Sequence, residues 1–249
     1  MWTVDFKGWW YTRNREKVNP LAIRDEYSKY ILAIDVTEKG DTASVKRVFQ
    51  RVFKQYGIPL YIRSDNGPPF ANALNLWGLT KLSVWWMTLG IQLDRDDPGH
   101  PEQNGGHERM HRDMKTELQG QIDGSLNEHQ RVFDKWRKDF NEVRPHEAPG
   151  MKTPADIYIK SEMKFLVENV ELRYGRGFKV RRVNDRGFLN LKQKRIFVGN
   201  PFAGYHAGVK EDVDKPAEVW FGNYLLGVIN QDTGLIEPSH AMMQVTNNT

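Results

Sequence analysis

The segment DTASVKRVFQRVFKQYGIPLYIRSDN, residues 41–66, carries the clearest information about the fold. Its first part predicts an amphipathic helix, because apolar side chains recur at the spacing of one helical face. Asp41 or Thr42 can cap the start of this helix, and Gly57 can end it. A short strand follows at residues 60–62 and ends at a turn-rich run. The apolar face of the predicted helix consists of Val45, Val48, Phe49, Val52, Phe53 and Tyr56.

The residues on either side of this segment extend it into a sheet. Trp2, Val4 and Phe6 alternate with polar residues, a period of two that indicates a strand. Apolar runs at 21–23 and 30–34 complete a predicted meander of three antiparallel strands. A helix near 74–89 and a strand at 91–93 would follow. The predicted fold class is α/β, with a mixed sheet and flanking helices.

The second half of the chain changes in character. Helices are predicted near 106–121 and 126–140, followed by a connector rich in proline and glycine. From about Arg173, short apolar runs separated by glycines indicate a small all-β, barrel-like domain. We therefore predict a catalytic core over 1–125, a helical extension and connector over 126–165, and a small basic β-rich domain over 166–249.

Composition excludes several classes of protein. The 249 residues include no cysteine, which excludes disulfides, thiolate zinc sites and a cysteine nucleophile. Hydrophobic residues make up 39% of the chain and charged residues 27%, an ordinary globular balance. No apolar run approaches the length of a membrane span, and no signal peptide opens the chain, so we expect an intracellular protein without a membrane partner.

Three carboxylates stand out by position. Asp5 lies in the first strand, Asp65 ends the fourth, and Glu108 lies near the start of a helix. If the first and fourth strands are neighbours, these acids can meet at the centre of the sheet. Carboxylates about 5 Å apart repel by roughly 3 kcal/mol at an effective dielectric near 20, so such a cluster needs cations. Oxygen ligands suit Mg²⁺ or Mn²⁺. Their spacing alone also fits ordinary surface acids.

Three blocks of sequence add a family resemblance. WTVDFKG (2–8), SDNGPPF (64–70) and HPEQNGGHER (100–109) resemble the signature blocks of the integrase catalytic core. The most similar group is the bacterial insertion-sequence transposases related to retroviral integrases. FNEVRPHEA (140–148) resembles the segment that follows the core in that group. The resemblance covers roughly residues 1–165.

The resemblance implies a ribonuclease H-like fold and DNA cleavage and strand transfer during transposition. Asp5, Asp65 and Glu108 would be the catalytic residues and the ligands of two Mg²⁺ or Mn²⁺ ions. The partners would be double-stranded DNA, as element ends and target, and further copies of the chain in a homodimer or higher oligomer. The protein would act on DNA in the bacterial cytoplasm, and a zinc-binding or helix-turn-helix domain would precede Trp2.

Glu102 is an alternative to Glu108 as the third acid. Glu108 follows Asp65 by 43 positions, which is longer than the retroviral pattern, whereas Glu102 follows it by 37. Glu102, however, precedes the Asn104-Gly105 pair, and the family's glutamate follows it, so Glu108 is preferred. Asp35 is interpreted as a strand-end acid. The acids interpreted as solvating a loop are Asp94, Asp96 and Asp97.

Several other side chains are candidate DNA contacts. Arg112 and Lys115 share the helical face of Glu108; the alternative for Arg112 is an ordinary i,i+4 ion pair with that glutamate. The resemblance adds Asn66, Gln103, Asn104 and Arg109. Three histidines suggest zinc, but all-oxygen chemistry needs none, so we interpret them as ordinary polar residues of the loop and helix. They are His100, His107 and His111.

A basic segment lies near the C-terminus. Residues 173–195 hold nine lysines and arginines against one acid, Asp185. We predict that this segment binds DNA phosphates; an ordinary solvated face is the alternative. The candidate contacts are Arg181, Arg182, Lys192 and Lys194.

Two other functions remain open from sequence alone. A metal-dependent nuclease on the same fold would hydrolyse DNA without joining it. A non-catalytic DNA-binding or regulatory protein could retain the fold. The three acids argue against this function, because a site that had lost its activity would have no reason to keep them.

Overall fold

The computed structural model describes residues 1–6, 8, 10–12, 14–37, 39–95, 105–118, 124–145, 151–166, 170–230 and 232–239. Their contacts divide the chain into two compact units. The first comprises Met1–Pro69 and Ile91–Glu168, and the second comprises Phe70–Gly90 and Asn169–Thr249. No helix within the described ranges is long and apolar enough to cross a membrane.

The first unit is built on a mixed sheet. The meander predicted for the first 40 residues is confirmed, since β3 pairs antiparallel with both β1 and β4. β5 then pairs parallel with β1, and β6 parallel with β5. The order is therefore β4–β3–β1–β5–β6, with β2 also beside β3. The strands are β1 (Trp2–Phe6), β2 (Trp10–Tyr11), β3 (Lys17–Asp25), β4 (Ile31–Thr37), β5 (Tyr61–Ser64) and β6 (Gln92–Arg95).

The helices follow the predicted pattern with one difference in length. In α1, the Asp41 carboxylate accepts the Ser44 N–H at 2.8 Å, and Gly57 ends the helix at φ 82°. α2 is shorter than predicted, because Trp77 interrupts the helical backbone with φ 56° and Thr80 caps a new start. The helices are α1 (Thr42–Tyr56), α2 (Lys81–Thr88), α3 (Gly105–Leu118), α4 (Leu126–Glu142) and α5 (Pro154–Ile157).

The two faces of β1 contact different helices. The Trp2 ring lies 5.8 Å from that of Phe53 in α1. Thr3 and Asp5 project to the other face, because successive side chains of a strand alternate. Helices α3 and α4 cover that face with an apolar cluster, which fixes α3 across the centre of the sheet. The cluster comprises Val18, Ala22, Ile31, Ile34, Met110, Met114, Phe133, Trp136 and Phe140.

The C-terminal part of the second unit is all-β, as predicted. A five-stranded antiparallel sheet has the order β13–β12–β11–β10–β7, and β8 and β9 form a separate hairpin. The strands are β7 (Phe178–Arg182), β8 (Phe188–Leu191), β9 (Lys194–Phe197), β10 (His206–Lys210), β11 (Glu218–Phe221), β12 (Tyr224–Ile229) and β13 (Ile236–Pro238).

Residues Phe70–Gly90, which include α2, group with this second unit. The Trp77 ring meets that of Phe202 edge to face at 6.3 Å. The sequence had assigned this segment to the core over 1–125, and the domain boundaries near 125 and 165 stay predictions.

Candidate active site

The parallel pairing of β1 with β5 brings the ends of these two strands together. Trp2 pairs with Ile62 and Val4 with Ser64, which is the last residue of β5. Asp5 is the next residue of β1, and Asp65 directly follows β5. Asp5 and Asp65 therefore each lie one residue beyond the last paired position of neighbouring strands.

Asp65 lies in a turn that holds its carboxylate in place. Its Oδ1 accepts the backbone N–H of Gly67 at 3.2 Å. The side chain is partly buried, and this desolvation raises the pKa of Asp65 despite the opposing effect of the Gly67 hydrogen bond. A cation beside this carboxylate would offset the cost of holding its charge out of water.

Asp5 lies against two buried histidines of α3. Its Oδ2 is 3.8 Å from Nδ1 of His111. His107 lies one helical turn earlier, with its ring centroid 5.7 Å from that of His111. Within the described residues, this is the one group of three acidic or histidine side chains whose ligand atoms all lie within 4.8 Å of one another. Asp5, His107 and His111 can thus converge on one ion.

His107 is held in a defined environment. Its Nε2 lies 2.8 Å from Oγ1 of Thr3, which also accepts the Nε–H of Arg24 at 3.4 Å. Burial lowers the pKa of His107 well below its usual value, and the charge of Arg24 and the neighbouring His111 lower it further. His107 is therefore neutral at pH 7.

The sequence interpretation of His107 and His111 as ordinary polar residues was wrong about their surroundings, since both are buried. Their i,i+4 spacing places them on the same face of α3 as Met110 and Met114, which are also buried. That shared spacing was the available signal. Thr3, two residues before Asp5 on the same strand face, was likewise missed.

Glu108 lies on α3 but outside this group of three ligands. Its side chain is exposed, as are those of Arg109, Arg112 and Lys115 on the same helix. The structure thus brings Asp5 together with two histidines, and the role of Glu108 as third acid stays a prediction. Asn66 is exposed directly after Asp65. Outside the described residues lie His100, Glu102, Gln103 and Asn104.

Two further acids form ion pairs with arginines. Asp35 lies within β4, two residues before Thr37, so its interpretation as a strand-end acid was wrong. Both of its carboxylate oxygens accept from Nη2 of Arg51, at 2.5 and 2.6 Å. Asp94 is part of β6, where it accepts the Nε–H of Arg63 at 2.9 Å. The prediction that Asp94 solvates a loop was therefore wrong; Asp96 and Asp97 lie outside the described residues.

The basic segment lies on β7 and the β8–β9 hairpin. Arg181 and Arg182 are both exposed, because β7 is an edge strand with neither face covered at these positions. Lys192, in the hairpin turn, pairs with Glu211 at 2.9 Å, and Lys179 pairs with the same carboxylate. Lys194 is exposed. Glu211 thus neutralises part of the positive charge of this surface.

Comparisons with known proteins agree with this architecture. Two family profiles, both described as "Integrase core domain", match residues 1–101 and 89–154. A 31.7 kDa protein of insertion element IS407 from Burkholderia multivorans is 28% identical over 64% of this chain and 55% of its own length. A 39.2 kDa protein of IS476 from Xanthomonas euvesicatoria is 27% identical over 63% of this chain and 43% of its own. The chain thus spans about half the length of these relatives.

One solved structure shows a similar fold. A chain in the simian T-cell lymphotropic virus intasome, determined with the PP2A regulatory subunit B56 gamma, aligns with a TM-score of 0.50. The identity is 15%, and the alignment covers 92% of this chain and 78% of that one. The magnesium complex of the HTLV-2 integrase catalytic core aligns at a TM-score of 0.48, with 18% identity over 63% of this chain and 93% of that one.

The strand order and the helices on both sheet faces define a ribonuclease H-like fold. Within that class, residues 1–154 match the integrase core domain models, and the chain is similar to proteins of insertion elements and, in fold, to a retroviral integrase.

Proposed function

We propose that the chain is the catalytic part of a DNA transposase, which cleaves element ends and joins them to target DNA in a metal-dependent reaction. The observation that carries the proposal is the parallel pairing of β1 with β5, which ends one residue before Asp5 and Asp65 in a segment that matches the integrase core domain. The match of residues 1–154 to integrase core domain models supports polynucleotidyl transfer, and the similarity to insertion-element proteins supports transposition as its setting.

Asp5, Asp65 and Glu108 would hold two Mg²⁺ or Mn²⁺ ions. Their donor atoms are all oxygens, which suits these cations, and the burial of Asp65 favours a neighbouring positive charge. When bound, such ions stabilise the negative charge that develops on the oxygens of a phosphodiester during in-line displacement.

The chain's own residues would position the reactants. Strand β1 carries Asp5, Asp65 directly follows β5, and the Gly67 N–H orients the Asp65 carboxylate. In strand transfer, a DNA 3′-hydroxyl oxygen forms a bond to a target phosphorus while the bond from that phosphorus to its leaving oxygen breaks. Catalysis then comes from positioning and charge stabilisation, without a covalent protein intermediate.

DNA would be bound by the exposed face of α3 and by the basic segment. Arg109, Arg112 and Lys115 are exposed on the helix that carries Glu108. Together with Asn66, and with Gln103 and Asn104 outside the described residues, they would contact element ends and target. Coordinated cleavage of two ends requires at least two copies of the chain, so we expect a homodimer or higher oligomer on DNA.

A joining assay tests this proposal. The protein is incubated with supercoiled plasmid, Mg²⁺ or Mn²⁺, and short duplexes that carry the terminal sequences of its element. We expect joined products from the unmodified chain. Nicked plasmid without joining would indicate the nuclease instead, and DNA binding without any cleavage in either metal would indicate a non-catalytic regulator.

Two matched variants test the choice of the third acid. Glu108→Gln should abolish joining while DNA affinity stays nearly unchanged, because a metal ligand is lost from an exposed position. Glu102→Gln makes the same chemical change six residues earlier and should retain most joining. If the two variants exchange behaviour, Glu102 is the third acid.

A further inference from the structure

We propose that Asp5, His107 and His111 bind one transition-metal dication of the zinc class, at a site that shares Asp5 with the proposed magnesium site. The donor set is two imidazole nitrogens and one carboxylate oxygen. The catalytic set of the proposed function contains oxygens alone, so the two sites differ in the metals that they prefer.

The positions of the three side chains come from two rigid elements. His107 and His111 are separated by one turn of α3, and Asp5 projects from β1 toward that helix. The Asp5 carboxylate is 3.8 Å from Nδ1 of His111, and the ligand atoms of all three residues lie within 4.8 Å of one another. Atoms bonded to one ion at about 2.0–2.2 Å lie no more than about 4.4 Å apart, so binding requires a small side-chain adjustment that closes any wider pair.

The surroundings of His107 support its role as a ligand. A histidine that binds metal through one ring nitrogen usually donates the N–H of the other to a fixed acceptor. Oγ1 of Thr3, 2.8 Å from Nε2 of His107, is such an acceptor. In that tautomer the lone pair resides on Nδ1, a buried atom without a hydrogen-bond partner among the described residues.

The donor types also favour a particular class of metal. Two imidazoles and one carboxylate suit Zn²⁺, Co²⁺ or Fe²⁺, whereas Mg²⁺ prefers oxygen ligands and retains its waters.

The shared carboxylate has a functional consequence. When Asp5 is bound to an ion held by His107 and His111, it is less available to the Asp5–Asp65 pair. We therefore expect micromolar Zn²⁺ to reduce Mg²⁺-dependent joining by competition for Asp5. This consequence depends on the proposed function, but metal binding by the two histidines does not.

Binding is tested on the full chain without DNA, after removal of any affinity tag. Co²⁺ is the spectroscopic probe, because its visible absorption reports nitrogen ligands and low coordination number, and Zn²⁺ displaces it in competition. We expect one site per chain in the unmodified protein. His107→Gln and His111→Gln should each weaken Zn²⁺ binding at least about tenfold, since outer-shell changes alone cost 10–100-fold.

Three further measurements make the result decisive. His129→Gln, a matched control in α4 where His129 is as buried as His107 at 2% exposure, should bind Zn²⁺ like the unmodified chain. Glu108→Gln should also retain Zn²⁺ binding while losing joining, which separates this site from the catalytic one. If the histidine variants do not fold, ¹⁵N spectra of the unmodified chain should show ring-nitrogen shifts in two histidines with equimolar Zn²⁺.

The proposal is overturned if the unmodified chain binds neither Co²⁺ nor Zn²⁺, or if no histidine ring nitrogen shifts. Equal Zn²⁺ affinity in the folded histidine variants would overturn it as well. A failure of joining in the unmodified chain together with intact Zn²⁺ binding would contradict the proposed function alone.

Discussion

At the scale of single residues, successive side chains of β1 project to opposite faces of the sheet and contact different helices. Trp2 contacts the Phe53 ring of α1, while Thr3 and Asp5 on the opposite face contact His107 and His111 of α3. A shift of one residue in register would exchange these faces and bury the wrong side chains. The pairing of Val4 with Ser64 therefore determines both the core and the position of Asp5.

The charge of Asp65 is expected to cost stability in the metal-free protein. Burial raises the pKa of Asp65 in the folded state, so the fold is more stable with Asp65 protonated than with Asp65 ionised. This stabilisation is fully present below the pKa of the unfolded chain and is lost as pH rises through the folded pKa. Without metal at neutral pH, Asp65→Asn should melt at the same or a higher temperature than the unmodified chain. Differential scanning fluorimetry in a chelating buffer measures this.

The same variant should lose most of the response to Mn²⁺. A native-state site stabilises by about 2.7 kcal/mol when the free metal is a hundredfold above its dissociation constant. The matched control is Asp35→Asn, because Asp35 is paired with Arg51 instead. A Mn²⁺ titration that shifts all three proteins equally would contradict a metal site at Asp65.

At the scale of elements, α4 completes the edge of the sheet with side chains. β4 pairs only with β3 within the described strands, yet Asn141 of α4 accepts the Ile31 N–H at 2.8 Å and donates to the Ile31 carbonyl at 2.9 Å. Gln130 does the same for Val36 and Ile34. The helix thus satisfies backbone groups that a further strand would otherwise pair.

Asn141→Leu should lower the free energy of unfolding by roughly 2–4 kcal/mol, because it leaves two buried backbone groups of Ile31 without partners. The side chain of Asn141 is only 2% exposed. Asn127→Leu makes the same change at an exposed position of α4 and should alter stability little. Urea denaturation of both variants gives the comparison, and equal stability would show that Asn141 contributes no more than a surface residue.

The basic segment is the second element with a measurable consequence. Replacement of its four candidate contacts with alanine should reduce the slope of log affinity against log salt by about 0.9 per contact, or about 3 to 4 in all on duplex DNA. The loss should be nearly uniform across sequences, since phosphate contacts carry no base information. The replaced residues are Arg181, Arg182, Lys192 and Lys194.

Glu211→Gln provides the opposite change to the same surface. Glu211 pairs with both Lys179 and Lys192, so its neutralisation should increase DNA affinity and steepen the salt dependence. Binding isotherms at several salt concentrations measure both variants. An unaltered slope in the alanine variant would make this segment an ordinary solvated face and leave DNA binding to α3.

At the scale of the whole molecule, one compact unit contains two segments that are far apart in the sequence. Phe70–Gly90 lies between two parts of the first unit but groups with the second. Trp85 and Trp86 of α2 are each 1% exposed, and Trp77 contacts Phe202. Residues of the C-terminal part, such as Phe202, thus pack against the segment Phe70–Gly90, which was predicted from the sequence to belong to the core.

A chain that ends at Leu166 should therefore be less stable than the whole. It lacks Phe202 and the rest of the β-rich part, and we expect its melting temperature to fall by roughly 5–10 °C, equivalent to a few kcal/mol. Binding of a hydrophobic dye should rise. A chain that ends at Ser239 retains β13 and serves as control. Equal melting of the shorter chain would support an independent core that ends near 165.

The sequence by itself determined the elements whose signals are local. The apolar face of α1 and its Asp41 cap, the alternation of β1, and the turn after Asp65 each depend on residues close together in the chain. The sequence left the adjacency of the first and fourth predicted strands as a condition, which the pairing of β1 with β5 meets. Three ordered motif blocks then indicated the family that the profiles match.

Only the tertiary structure decided which side chains meet across the sheet. The approach of His107 and His111 to Asp5 depends on how α3 packs through Met110 and Met114, over a separation of more than a hundred residues. Likewise, Asp94 pairs with Arg63, and Lys192 with Glu211, through strand register and hairpin geometry. Periodicity reports which face of an element is buried, whereas the partner on that face is fixed by packing between distant parts of the chain.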